Sequence, residues 1–219
     1  MTGRTVLVFG AGGALGGGIA AAFRDAGATV TGIDRAQPAP ARRVGGITYE
    51  ARDVHDEAAL AAVLGAAAPW AVVNTIGGFA GHRPLAQLDA AELMGQIELN
   101  LVTAALITKH ALVAMAPAGA GRIVHTASRA ALVTKGSGFA YSVSKAAVLH
   151  LVAMAAEEVR GTNITVNCVV PSIIDTPANR SAMPGADHDA WPKVADIARS
   201  YLYLASPGSG LVNGACLPV

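Results

Sequence analysis

Charge is scarce in this sequence. Asp, Glu, Lys and Arg make up 14% of its 219 residues, the net charge is +1, and no block of like charge occurs. A nucleic-acid-binding face and a basic membrane-binding surface are therefore not expected. Cysteine is nearly absent too. Cys168 and Cys216 stand far apart without CxxC or Cys/His spacing, which argues against a disulfide framework or a zinc site; no metal is expected, and a reducing, cytoplasmic compartment fits best. Internal repeats, low-complexity linkers and composition breaks are also missing. With 53% hydrophobic residues, the chain is long enough to bury one sizeable core, and residues 1–219 read as a single α/β domain.

One charge-free run needs an explanation. From Val6 to Phe23, "VLVFGAGGALGGGIAAAF" has the length of a membrane span or signal segment, but six of its 18 residues are glycine, a poor choice for either. A strand, a tight turn and a helix account for it better. Glycines at such a turn let backbone N–H groups approach a pyrophosphate at the helix N-terminus. Counted from Gly10 they fall at offsets 2, 3 and 6, which is not the GxGxxG fingerprint. Asp34 ends the second apolar run and is placed to accept hydrogen bonds from a ribose 2′-hydroxyl, which favours NAD(H); NADP(H) is not excluded. Arg35, next to it, could meet a 2′-phosphate, but a solvent-facing or adenine-stacking guanidinium is the preferred reading.

Beyond this turn, β-branched runs alternate with Ala/Leu-rich helical patterns. Strands are predicted near 4–9, 28–33, 47–51, 70–75, 121–127, 163–169 and 211–217, and helices near 14–26, 56–67, 89–115, 141–160 and 191–205, with loops at 36–46 and 170–190. The strands lack polar alternation, as parallel strands covered on both faces do. The expected architecture is a doubly wound, seven-stranded parallel sheet with helices on both faces and ligands beyond the carboxyl ends of its strands.

Chemistry is concentrated around "YSVSK". Tyr141 and Lys145 share a helix face at i and i+4, so the ammonium can lie near the phenol and stabilise its phenolate. The plain alternative is a core tyrosine and a lysine reaching solvent. Ser128 lies at a strand tip upstream, placed to hydrogen-bond a substrate oxygen. Phe79, Val133, Phe139, Met183 and Trp191 are candidate pocket residues, of which Phe79 and Met183, in loops, are preferred as substrate contacts. His82 is read as a solvent-facing loop histidine.

Taken in order, these residues resemble the short-chain dehydrogenase/reductase family over nearly the whole chain, which implies a Rossmann fold. "GAGGALG" is similar to its nucleotide loop, giving Gly10, Gly13, Ala14, Leu15 and Gly16, with Phe9 replacing a threonine and Ala14 a glycine. "RDV" is similar to its adenine-contacting acid, giving Asp53 and Val54. "NTIGG" resembles its NNAG motif, giving Asn74, Thr75, Ile76 and Gly77. "NCVVPSIIDTP", with Ser172 where glycine is usual, gives Pro171, Ile173 and Thr176, and residues 170–190 would form a substrate lid. Ser128, Tyr141 and Lys145 match the catalytic residues, and "ELNL" supplies the helix asparagine, Asn100. "VFGAGGALG", "IGGFAG" and "DTPANRSAMPGADHDAW" look nearest to the dihydropteridine reductase branch, whose members carry alanine where this chain has Ser128.

The resemblance implies hydride transfer at nicotinamide C4, with Tyr141 as general acid/base for a small alcohol or carbonyl substrate. It implies that Ser128 polarises the substrate oxygen, that Lys145 also binds the nicotinamide ribose, and that Asn100 completes a proton path. Quinonoid dihydropteridine reduction is one alternative, and a non-catalytic NAD(H)-binding regulator or scaffold is another. Apolar residues on several faces of the long helices, among them Leu99, Val113, Val148, Val152 and Met154, predict burial against another copy of the chain about a two-fold axis, and the resemblance implies a homodimer or homotetramer.

Overall fold

The structure is a computed structural model that describes residues 1–80, 84–133 and 138–219; His82 lies outside them. Seven parallel strands form one sheet in the order β3-β2-β1-β4-β5-β6-β7: β1 (Thr5–Phe9), β2 (Thr29–Asp34), β3 (Thr48–Ala51), β4 (Ala71–Asn74), β5 (Ala120–Thr126), β6 (Asn163–Val170) and β7 (Cys216–Pro218). The helices are α1 (Ala14–Asp25), α2 (Glu57–Ala67), α3 (Ala90–Gln96), α4 (Thr103–Met115), α5 (Phe139–Glu158), α6 (Pro177–Ala182) and α7 (Val194–Leu204). The strand order reverses beside β1, so the carboxyl ends of β1 and β4 open the crevice where an α/β sheet takes its ligand.

Alternation along each strand builds two cores. Leu7, Phe9, Val72, Ile123 and Val166 face α2, α4 and α5, meeting Leu60, Leu64, Ile107, Val148 and Val152. Val6, Val8, Val73, Val124 and Val169 face the other way and meet Ile19 and Phe23 of α1 and Ile197, Tyr201 and Leu204 of α7. Both faces of the central strands β1, β4, β5 and β6 are buried, which is why these strands lack polar alternation. The composite helix 90–118 and α5 are long and apolar enough to cross a membrane, but each lays a stripe of those residues into the core beneath it.

Several sequence expectations change. The helix expected over 89–115 is interrupted by a π-helical segment, Ile97–Val102, centred on Asn100. The segment 170–190 is not a plain loop: it holds α6 and a 3-10 turn, His188–Ala190. The last strand is confined to Cys216–Pro218; residues 211–215 before it meet β6 through side chains and through two backbone bonds, Gly214 N–H to the Val166 carbonyl at 2.9 Å and Cys168 N–H to the Ala215 carbonyl at 2.8 Å. Asn213 there accepts from the Val166 N–H and donates to the Ala156 carbonyl at 2.9 and 2.8 Å, and Gly214 then turns at φ 76°. Val148 and Val152, expected on an association surface, are core residues at 1% and 0% exposure. Met94, Leu99, Val113, Val143 and Met154 are the exposed large apolar residues of these helices.

Candidate active site

The first βα turn is shaped for close approach. Gly10 has φ 82°, and a Cβ there would lie 2.6 Å from Thr75 Oγ1; one on Gly16 would lie 2.2 Å from the Gly10 carbonyl. Only glycine lets helix and strand meet this closely. Gly13 caps α1 without a side-chain acceptor, and the first turn carries no acid. Its N–H groups and the positive end of the helix dipole are thus left for an anion from outside the helix. Asp34 borders the turn: one carboxylate oxygen accepts the Gly12 N–H at 3.1 Å and the other the Arg35 N–H at 2.8 Å. These features fit a dinucleotide, with Gly10, Gly13, Ala14, Leu15 and Gly16 toward the pyrophosphate and Asp34 toward a ribose. Arg35 is exposed, Val54 is buried, and Asp53 turns its carboxylate to the His55 N–H at 3.0 Å.

Several predicted contacts have structural duties. Asn74 is buried; its side-chain Oδ1 accepts the Ile76 N–H at 3.0 Å and its Nδ2 faces His125 Nδ1 at 3.3 Å. Thr75 Oγ1 donates to the Phe9 carbonyl at 2.8 Å. Thr176 caps α6, its hydroxyl accepting the Asn179 N–H at 3.2 Å. The Pro171 carbonyl accepts the Arg129 N–H at 3.0 Å, while Ile173 is 45% exposed.

Ser128, Tyr141, Lys145 and Asn100 come together beyond the carboxyl end of β5. Ser128 stands two residues beyond that strand, with its side chain close enough to the Tyr141 phenol to affect its ionisation. Its oxygen accepts the Ala130 N–H at 3.2 Å. Burial pushes the Tyr141 phenol above its ordinary range, and Ser128 works against that shift. Lys145 is buried, which lowers its pKa to about 8, and its ammonium donates to the Thr126 carbonyl at 2.9 Å. The expected pairing of ammonium and phenol is therefore modified: here a strand-end carbonyl takes the lysine. A Cβ on Gly77 would lie 2.7 Å from Asn100 Oδ1 and 2.8 Å from Lys145 Nζ, so both polar ends face the space above this glycine.

Asn100 is held from several sides. Its amide nitrogen lies 3.0 Å from Ser144 Oγ and 3.2 Å from Gln96 Oε1, and its oxygen accepts the Gly78 N–H at 3.3 Å. Ser144 in turn donates to the Tyr141 carbonyl at 2.8 Å. The π-helical widening lets a helix residue be gripped this way, a common use of such segments. Phe79 packs its ring edge-on to Tyr141, with centroids 5.1 Å apart. Met183 sits half-buried in the segment after α6, where its carbonyl meets His188 Nε2 at 2.8 Å; no contact ties it to Tyr141.

Sequence reading missed the supports beneath these groups. Thr126 offers its carbonyl to Lys145, and its hydroxyl, having donated to the Asn74 carbonyl at 2.8 Å, accepts from the Tyr201 phenol at 2.6 Å. His125, fully buried, lies between Asn74 and Thr108 Oγ1, the latter at 2.8 Å. Ser144 and Gln96 carried a weak signal, standing one turn from Tyr141 and Asn100 on the same helices.

Comparison with known proteins agrees with this arrangement. The short chain dehydrogenase family model matches residues 4–187, and the chain belongs to that family. It is 32% identical over 237 residues to a cis-4-hydroxycyclohexanecarboxylate dehydrogenase of Sinomonas cyclohexanicum, covering 99% of this chain and 94% of the relative. It is 29% identical to a D-threitol dehydrogenase of Mycolicibacterium smegmatis, covering 100% and 92%. Among solved structures, a putative NAD(P) dependent gluconate 5-dehydrogenase from Beutenbergia cavernae, with NADP at low occupancy, superposes with a TM-score of 0.88 at 26% identity, covering 100% and 95%. The protein is thus an oxidoreductase of the class that acts on alcohols and their carbonyl counterparts and binds NAD(P).

Proposed function

We propose that this chain interconverts a small secondary alcohol and its ketone with NAD(H), using Tyr141 as the proton-transferring group. The observation that carries this reading is the Ser128–Tyr141 hydroxyl pair beyond β5, with Lys145 behind it. In reduction, a bound nicotinamide would supply the hydride that the carbonyl carbon takes up. Tyr141 donates its proton to the oxygen, and Ser128 hydrogen-bonds that oxygen while charge develops on it, an effect commonly worth ~3 kcal/mol of barrier. On release from Thr126, the Lys145 ammonium offers charge to the tyrosinate and a donor to the ribose. Asn100, held by Ser144 and Gln96, would position the group that resupplies the proton.

Asp34 favours NAD(H), since a carboxylate bonded to ribose hydroxyls opposes a 2′-phosphate. Ser128 favours a carbonyl over a pteridine substrate, because a carbonyl oxygen uses that hydroxyl. Segment 170–190, with Met183, would cover the substrate, and the exposed Leu99, Val113, Val143 and Met154 would be covered in a cytoplasmic homodimer or homotetramer. The test is a panel of cyclic hydroxy acids, polyols, diketones, aryl ketones, steroids and quinonoid dihydropterin with NAD(H) and NADP(H), followed at the nicotinamide absorbance. Turnover of a secondary alcohol or ketone supports the reading, and cofactor binding without turnover on any member opposes it.

A further inference from the structure

Cys168 and Cys216, so far apart in sequence, are register partners on adjacent parallel strands β6 and β7. Neighbouring strands lie about 4.8 Å apart, within the ~4.4–6.8 Å between Cα atoms that a disulfide spans. Both are free thiols, and Cys216 packs against the same buried cluster that holds Cys168, on one face of the sheet. Cys168 is fully buried among the residues under α5, and Cys216 is partly exposed at the edge of the sheet. A buried thiol beside an accessible one is the arrangement of a resolving and an attacking cysteine.

We propose that Cys168 and Cys216 form an oxidisable dithiol that hydroperoxides convert to a disulfide between β6 and β7. The Cys216 thiolate attacks the peroxide O–O bond, forming a sulfenic acid and releasing water after proton uptake. The Cys168 sulfur then displaces the sulfenic oxygen, which leaves as a second water. Overall, two thiols are oxidised by two electrons and one hydrogen peroxide is reduced to two waters. The surroundings of the two thiols agree with this order: the neighbouring Cys168 lowers the Cys216 pKa, while the neighbouring Cys216 and burial raise that of Cys168.

The bond would be felt at the candidate site. β6 supports Ser128 from both sides: the Val169 carbonyl accepts the Ala127 N–H at 2.9 Å and the Pro171 carbonyl the Arg129 N–H at 3.0 Å. Drawing the two sulfurs to a bond length of ~2.05 Å displaces Cys168, next to Val169, and with it the carbonyls that hold the Ser128 backbone. Lys145, whose charge is coupled to Cys168, lies over the same place. Oxidation therefore lowers turnover, and a thiol reductant restores it.

The experiment exposes the purified, reduced protein to hydrogen peroxide, then measures intact mass, free thiols and turnover, with Cys216→Ser beside it. The expected result is loss of two hydrogen atoms and of both thiols, with a peptide linking Cys168 to Cys216. Turnover falls at least about threefold, since sub-ångström misplacement is costly in a catalytic site, and dithiothreitol reverses the loss. Cys216→Ser forms no internal bridge and keeps its turnover. Failure of the folded protein to form the bridge, or a bridged form with unchanged turnover, overturns the proposal. The turnover arm rests on the proposed reductase reading; a reduced protein without dehydrogenase turnover fails that reading, while mass and thiol count still decide whether the bridge forms.

Discussion

The carboxylate of Asp34 reaches back across the first βα turn and accepts the backbone N–H of Gly12 at 3.1 Å. That bond fixes the acid at the mouth of the turn, where an adenosine ribose would lie. Asp34→Ala is expected to weaken NADH and improve NADPH, shifting the ratio of their kcat/KM values by about tenfold or more, as loss of a charge-assisted hydrogen bond does. Parallel kinetics with the two cofactors check this. An unmutated protein that already prefers NADPH contradicts the assignment.

Ser128 lies close to the Tyr141 phenol and works against the rise in its pKa caused by burial. In the proposed mechanism the tyrosinate is the active form in the oxidative direction, so the rate is expected to climb with pH as the phenol ionises. Ser128→Ala is expected to lower kcat by ~100-fold and to move that climb to higher pH. A pH profile of kcat/KM for the alcohol separates the two effects.

His125 makes stability depend on acid. Burial, then the charge of Lys145, hold its pKa down to about 4. Its Nδ1 faces the amide nitrogen of Asn74, itself a donor, so the ring is a neutral acceptor on that side and donates from Nε2 to Thr108. Between pH 6.5 and 4 the unfolded chain binds a proton at this residue that the native state does not. Stability therefore falls as pH falls through that window, on the order of 3 kcal/mol in all. Urea unfolding across the window should show the slope, and His125→Gln should flatten it while lowering stability at neutral pH.

The exposed and buried apolar residues of α5 separate association from folding. Val152 is fully buried, whereas Met154 is 61% exposed. Val152→Glu puts an unpaired carboxylate into the core and should cost more than about 3 kcal/mol. Met154→Glu should leave the unfolding midpoint nearly unchanged and reduce the mass measured by light scattering. A Met154→Glu protein with unchanged mass removes this face from the association surface.

Much of this was legible in the chain. Apolar β-branched runs set between helical patterns located six strands well, because central strands buried on both faces have little choice but Val, Ile and Leu. Tyr141 and Lys145 were legible because helical spacing puts them on one face whatever surrounds them. The partner of Lys145 was not, since Thr126 acts through its carbonyl, a group every residue has. His125, Ser144 and Gln96 gain meaning only from neighbours on other elements. The start of β7 was misread because "LVNG" has strand composition, yet Asn213 spends its side chain on β6 and Helix α5. The adjacency of the two cysteines follows from β6–β7 register, which sequence spacing does not encode.

The most direct test of the central claim is the turnover of Tyr141→Phe on the substrate found for the parent. The ring keeps its edge contact with Phe79 and loses only the hydroxyl that carries the proton. The account predicts a fall in kcat of at least ~100-fold with NADH affinity little changed. Turnover within about threefold of the parent, a margin far smaller than loss of a general acid allows, would contradict it.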